Sequence, residues 1–258
     1  IVQSLKSYAV ASVTPVIIDP ETTFITLATS FKYNSSVSTL ALSTLEANVL
    51  NSITTYNNDT LENFTGMYRH SALSTLIDST DSSILSNVTT VRMYKYITPT
   101  LNEGLKYTLS FNNAFYNPHS GHNSSAGGIV SSTGFKINDD LSLNEHFLDD
   151  DGAGNLRVYY LSGTTRIYTS SNYGTVNYTT GQIVLTSSHI TSISNVDGVA
   201  STQVRIFATP NSNDIVPVRN QILEIDTTNS TVSGDVDAIE SGSSQAGTSY
   251  TTTSSYSY

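Results

Sequence analysis

Apolar residues along the chain follow two different periods, and the change of period divides it. From Thr22 to Phe31, the residues Phe24, Ile25, Leu27, Ala28 and Phe31 are interleaved with Thr between Pro20 and Asn34. That run predicts a largely buried strand, because β-branched and aromatic side chains suit a pleated surface. After Asn34-Ser35-Ser36 the apolar positions Val37, Leu40, Ala41, Leu45, Val49, Ile53 and Tyr56 recur at steps of three and four. A helix is therefore expected from Val37 to Tyr56, capped by Ser35 or Ser36 and ended by Asn57-Asn58-Asp59, whose side chains compete for backbone bonds. A shorter helix is expected over His70 to Ile77, on Leu73, Leu76 and Ile77, entered through Phe64, Gly66, Met67 and Tyr68. Asn87 to Tyr94 returns to strand character. The first part thus reads strand, helix, helix, strand, a compact α+β unit.

From Leu105 onward the helical period does not return. Leu105 to Phe111 alternates, and a Gly-, Ser- and Asn-rich loop then runs from Asn112 to Ser132, long enough to be functional or pinned by a neighbour. Strands resume near Gly134. Asp149-Asp150-Asp151-Gly152-Ala153-Gly154-Asn155 separates Glu145 to Leu148 from the alternating Leu156 to Leu161, as the tip of a hairpin would. Ser162-Gly163-Thr164 and Thr179-Thr180-Gly181 predict further turns between strands at Arg166 to Tyr168, Thr175 to Tyr178 and Gln182 to Leu185. Thr202 to Ala208 and an extended run from Ile215 to Ile225 follow. The second part is expected to be an antiparallel meander. Beyond Ser230 the chain is mostly Ser, Thr and Gly and ends in Tyr256-Ser257-Tyr258, a composition that cannot offset its ordering entropy by burial and so calls for a neighbouring chain or sheet edge to hold it.

Composition narrows the function. The chain has 258 residues, of which Ser and Thr supply 76 and Asn 22, while only 12% are charged. Polar surface therefore comes from hydroxyls and amides. Lys and Arg number 11 against 21 acidic residues, a net charge of −10 that disfavours a phosphate backbone as partner. No window approaches the roughly 20 apolar residues that cross a bilayer, and the residues from Ile1 onward lack the charged-then-apolar pattern of a signal peptide. With no Cys, neither disulfides nor thiolate chemistry enters. A chain beginning at Ile1 is expected to be a piece of something longer.

Candidate chemistry is thin. Asp149, Asp150 and Asp151 beside Gly152 suggest a calcium loop, but Phe147 and Val158 occupy the first and closing ligand positions, so an acidic hairpin tip is the stronger reading. His119 and His122 could share a metal only with further ligands that nothing nearby marks, which favours a solvated pair. No G-x-S-x-G, phosphate loop, dinucleotide fingerprint or H-E-x-x-H occurs, and Glu46 and Glu62 lack the spacing of a paired acid and base. Asn-x-Ser/Thr at Asn34, Asn58, Asn63, Asn87, Asn123, Asn177 and Asn229 is what this composition yields by chance. No catalytic, cofactor-binding or metal-binding residue is assigned. The 16 tyrosines are amphipathic and suit either a protein interface or plain sheet packing.

The order of features resembles a known family. Val13-Thr14-Pro15, the strand Thr22 to Phe31, the Ser35-Ser36 helix start, Leu45-Glu46-Ala47-Asn48-Val49 and Phe64-Thr65-Gly66-Met67-Tyr68 resemble the baseplate J-like wedge proteins of contractile-tailed phages. Phe147 to Arg157, Gly174 to Gly181 and Asp214-Ile215-Val216-Pro217-Val218-Arg219-Asn220-Gln221 look like the wedge protein called gene product 6 in T-even-type phages and their cyanophage relatives. The resemblance implies an α+β baseplate J-like unit over residues 1–100, a β-rich region over 101–232 and a Ser/Thr/Tyr-rich tail over 233–258, together forming the C-terminal portion of a longer protein. It implies a structural role in the virion's tail baseplate, assembled in the host cytoplasm, with copies of itself as a dimer or ring and other wedge subunits as partners, and with no enzyme activity, cofactor, nucleic acid or membrane. A receptor-binding or adhesin module is the alternative, and a carbohydrate-active enzyme with paired carboxylates the third reading.

Overall fold

The computed structural model describes residues 20–122, 128–196 and 198–240. Val13-Thr14-Pro15, the motif at Asn123 and residues 241–258 of the expected tail lie outside them.

Strand β1 (Glu21–Tyr33) alternates strictly, burying Thr23, Ile25, Leu27, Thr29, Phe31 and Tyr33. The expected strand is there, but only one of its faces is buried, because the helices cover a single side of the sheet. Helix α1 (Leu42–Tyr56) inserts Leu45, Val49, Ile53 and Tyr56, one stripe at helical spacing. Helix α2 (His70–Asp78) adds Leu73 and Ile77. Strand β2 (Ile84–Ile97) then pairs antiparallel with β1, setting Phe24 opposite Tyr94 and Thr29 opposite Thr89.

Helix α1 departs from expectation at both ends. It starts at Leu42 behind Ala41, with no side-chain cap, because the Asn34 carboxamide accepts the Ser36 amide at 2.9 Å and the Ser38 hydroxyl accepts the Leu40 amide at 3.2 Å. These local bonds hold the chain in turns that the helical spacing does not reveal. Nor does Asn57-Asn58-Asp59 end it. A π-helical turn, Asn57–Leu61, continues the helix, and the buried Asn57 side chain is turned inward to accept the Ile225 amide at 2.6 Å and to donate to Glu62 at 2.7 Å.

The remaining strands are β3 (Gly104–Ser110), β4 (Val130–Ser132), β5 (Phe135–Ile137), β6 (His146–Asp150), β7 (Asn155–Ser162), β8 (Thr165–Asn177), β9 (Gln182–Ile193), β10 (Val204–Ala208), β11 (Gln221–Ile225) and β12 (Thr231–Val236). All twelve strands join one sheet. Of the described residues, strands hold 47% and helices 13%, so the architecture is mostly β, with a helix pair after the first strand; the α+β expectation holds only in that loose sense.

The second part is more than a meander. Strands β7, β8 and β9 do follow one another in antiparallel order, and the pairings β5–β6, β6–β7, β7–β8, β8–β9 and β9–β5 close a ring around Phe135, Leu148, Leu156, Val158 and Ile183. But β10 returns to β2, while β11 and β12 both run parallel to β1 along its outer edge. Strand β12 includes residues 233–236 of the segment read as tail. The expected strands at Arg166 to Tyr168 and Thr175 to Tyr178 are one strand, β8, and the extended run from Ile215 is a strand only from Gln221. The loop from Asn112 is pinned by its neighbours: the Phe115 amide bonds the Tyr178 carbonyl at 2.7 Å and the Tyr116 amide that of Thr209 at 3.0 Å.

Candidate functional site

Residues opposite one another in neighbouring strands point to the same side of a sheet. One row can therefore be followed across seven strands: Glu224 on β11, Phe24 on β1, Tyr94 on β2, Phe207 on β10, Ser131 on β4, Asp149 on β6 and Arg157 on β7. Its neighbours one residue along, Ile25, Met93, Ile206, Val130 and Leu148, point the other way, into the core. The row lies on the face that the helices leave uncovered.

Aromatic rings and arginines dominate this outer face. Phe24 stacks on Tyr94 at 4.9 Å between centroids, and Tyr94 leans on Phe207 at 5.2 Å. Tyr96 lies 5.8 Å from Phe24 and is 44% exposed. Above the rings sit guanidinium groups: Arg92 at 5.4 Å from Phe207, Arg205 at 5.7 Å from Tyr94, Arg157 at 4.4 Å from Tyr168 and Arg166 at 4.7 Å from Tyr159. Four of the six arginines of an acidic chain thus occupy one sheet face. A ring face attracts a cation and desolvates it, and burial pulls the Arg92 guanidinium below the usual arginine value.

Asp149 is the centre of the β6–β8 end of this face. It accepts Arg157 Nε at 2.9 Å, Arg166 at 2.8 Å and the Tyr168 hydroxyl at 2.8 Å, with its carboxylate almost wholly buried. Burial and this carboxylate both push the Tyr168 phenol upward. At the opposite end the Tyr94 hydroxyl donates to Asp226 at 2.7 Å, and a cavity of about 330 Å³ opens between Phe24, Tyr94, Arg205 and Glu224.

The residues singled out by motif are placed differently. Asp149 and Asp150 are buried strand residues, so the hairpin tip is shorter than expected. Asp150 accepts the Val130 amide at 2.8 Å and the Tyr178 hydroxyl at 2.6 Å, whereas Asp151 closes the turn on Ala153 and Asn155. Three adjacent carboxylates serve three sets of partners and do not converge. His119 and His122 are exposed, with ring nitrogens 3.3 Å apart. Among the described residues no group of three His, Asp or Glu is placed to hold a metal. Glu46 accepts the Gly234 amide on β12, while Glu62 is held by Asn57. Asn34 and Asn87 spend their carboxamides on Glu240 and on Ser74 and Asp78.

The tyrosines are legible in the sequence as interface candidates, whereas Phe24, Arg92, Phe207 and Arg205 are not. The signal was available in part: Phe24 and the pair Arg92 and Tyr94 occupy the outward parity of strands whose inward parity is apolar. Which distant strand completes the row is a matter of topology.

No protein among the curated sequences matches the chain. Residues 21–96 match the sequence model of a family described as baseplate structural protein gp6, C-terminal domain III. The match begins with the first residue of β1 and runs through α1 and α2 to the penultimate residue of β2. Over these elements, then, the chain carries a domain of the baseplate structural protein gp6 family.

Proposed function

We propose that the chain is a structural subunit of a tail baseplate wedge, which self-associates and binds other wedge subunits, and that its work is mechanical rather than catalytic. The family match over residues 21–96 carries this reading. The outer face supports it, since arginine and aromatic side chains are enriched at the cores of protein interfaces and lysine is depleted there. Neither nucleic acid nor a membrane is a partner in this proposal; among the described residues no helix is long and apolar enough to cross a membrane. Antibody raised against the purified chain tests the location: labelling confined to the baseplate end of tailed particles is the expected result, and labelling of fibres or heads would contradict it.

A receptor-binding module is the second reading. In its favour stands a cavity of about 750 Å³ lined by uncharged residues, among them Asn117, Thr175, Asn177, Gln182 and Asn211, in which the buried Asn117 Oδ1 has no hydrogen-bond partner. Saturable binding of the purified chain to host-cell glycans would favour this reading over the structural one.

A further inference from the structure

The outer face carries two charges that no ion pair or hydrogen bond of their own chain engages, Arg205 being offset only across space by Asp226. Arg205 lies over the Tyr94 ring, and Glu224 stands beside Phe24 on β11; among the described residues neither side chain makes an ion pair or a hydrogen bond. Every other arginine of this face has a polar partner, Arg92 on Ser131 and both Arg157 and Arg166 on Asp149. Glu224 is moreover crowded by its own sign: half-burial first, then Glu62 and Asp226, push its carboxyl above the usual value. A half-buried carboxylate beside two others is a group short of a cation.

Arg205 and Glu224 flank the stacked pair Phe24 and Tyr94. Their strands, β10 and β11, are separated by β2 and β1, three strand spacings or roughly 14 Å. A cation on one side of an aromatic centre and an anion on the other form a pattern that is complementary to itself under a two-fold rotation about an axis lying in the plane of the interface, perpendicular to the line from Arg205 to Glu224. The rotation places the Arg205 of one copy against the Glu224 of the other, twice, with the rings of Phe24, Tyr94 and Tyr96 at the axis.

The geometry points to the β11–β1–β2–β10 outer face as an isologous docking surface for a second copy of this chain, held by reciprocal Arg205–Glu224 pairs around the Phe24–Tyr94 stack. This inference rests on the self-association proposed above and adds its surface and chemistry. Opposite charges brought together in a desolvated aromatic setting stabilise the pair, and like charges in the same place cost enough to abolish it.

The test is a charge exchange between two variants, Arg205→Glu and Glu224→Arg, followed by sedimentation of each alone and of an equimolar mixture, with circular dichroism to establish folding. Each variant alone puts like charges at both contacts, so its self-association should weaken by about 100-fold or more. In the mixture the substituted position 205 of one variant faces the substituted position 224 of the other, while the remaining contact keeps its natural pair. Heterodimers should therefore form to within about 10-fold of the unsubstituted affinity, a recovery that a purely internal role for these residues would not produce. Should either variant fail to fold, Arg205→Gln and Glu224→Gln replace them, and each is then expected to weaken association by about 10-fold. Folded variants that associate like the unsubstituted chain would overturn the surface while leaving self-association standing, and so would a mixture that stays monomeric. An unsubstituted chain that is monomeric throughout would remove self-association itself.

Discussion

Asp149 on β6 and Arg157 on β7 face each other across an antiparallel pair, Oδ1 to Nε at 2.9 Å, and both side chains are more than nine-tenths buried. The same carboxylate neutralises Arg166 from β8, so three strands are tied by one anion. Removing one partner of a buried pair leaves the other charge uncompensated. Asp149→Ala is therefore expected to cost about 3 kcal/mol of folding stability in urea titration. A loss below about 1 kcal/mol would mean that water reaches the arginines and that the network is peripheral.

His146 gives the fold a pH dependence of definite sign. Its ring is buried, with Nδ1–H donating to the Asn144 carbonyl at 2.9 Å and Nε2 accepting from the Thr169 hydroxyl at 2.9 Å, as a neutral imidazole. Burial lowers its pKa from 6.5, against smaller opposing effects of the Asn144 contact and Asp140. The unfolded chain therefore takes up the proton first as pH falls, so the stability contributed by the neutral ring is present above pH 6.5 and is lost below it. The melting temperature should fall from pH 7 toward roughly pH 5, and His146→Gln should flatten that part of the curve. An equally steep profile in the variant would assign the effect elsewhere.

Asn57 ties the helical unit to the C-terminal strands. Its side chain accepts the Ile225 amide on β11, and both groups are buried. Asn57→Ala strands that amide at a cost of about 1–3 kcal/mol. Hydrogen exchange at Ile225 should accelerate more than at Leu45 or Val49 in α1, and uniform acceleration would show that the bond does not act locally.

Gly181 closes the turn between β8 and β9 at a φ of 66°, and a Cβ there would meet the Asn113 carbonyl oxygen at 2.0 Å. Both the left-handed backbone and the close approach exclude a side chain. Gly181→Ala should destabilise by about 2 kcal/mol or more, whereas Gly163→Ala, also at positive φ but in open space, should cost only about 1–2 kcal/mol. Equal losses would mean that the contact with Asn113 yields freely.

The sequence was most readable where one period dominated. Leu45, Val49 and Ile53 mark α1 because only a helix brings them to one side, and Leu156 to Leu161 marks β7 beside its turn. Legibility failed where side chains answered to distant partners. Asn57 has the chemistry of a helix terminator, yet it is buried against β11 and the helix runs on past it. Asp149 and Asp150 resemble a solvated tip, yet Arg157, Arg166 and Tyr178 draw them inside. The outer face was hidden for a related reason: Phe24, Tyr94 and Phe207 become neighbours only when β10 returns beside β2, a crossover that no local pattern encodes.

The most direct test of the account is the mass of the unsubstituted chain in solution, by light scattering across a concentration series. The expected result is a dimer or a higher closed species that persists on dilution into the micromolar range and weakens in high salt, as reciprocal ion pairs require. A strict monomer at every concentration and salt would contradict it.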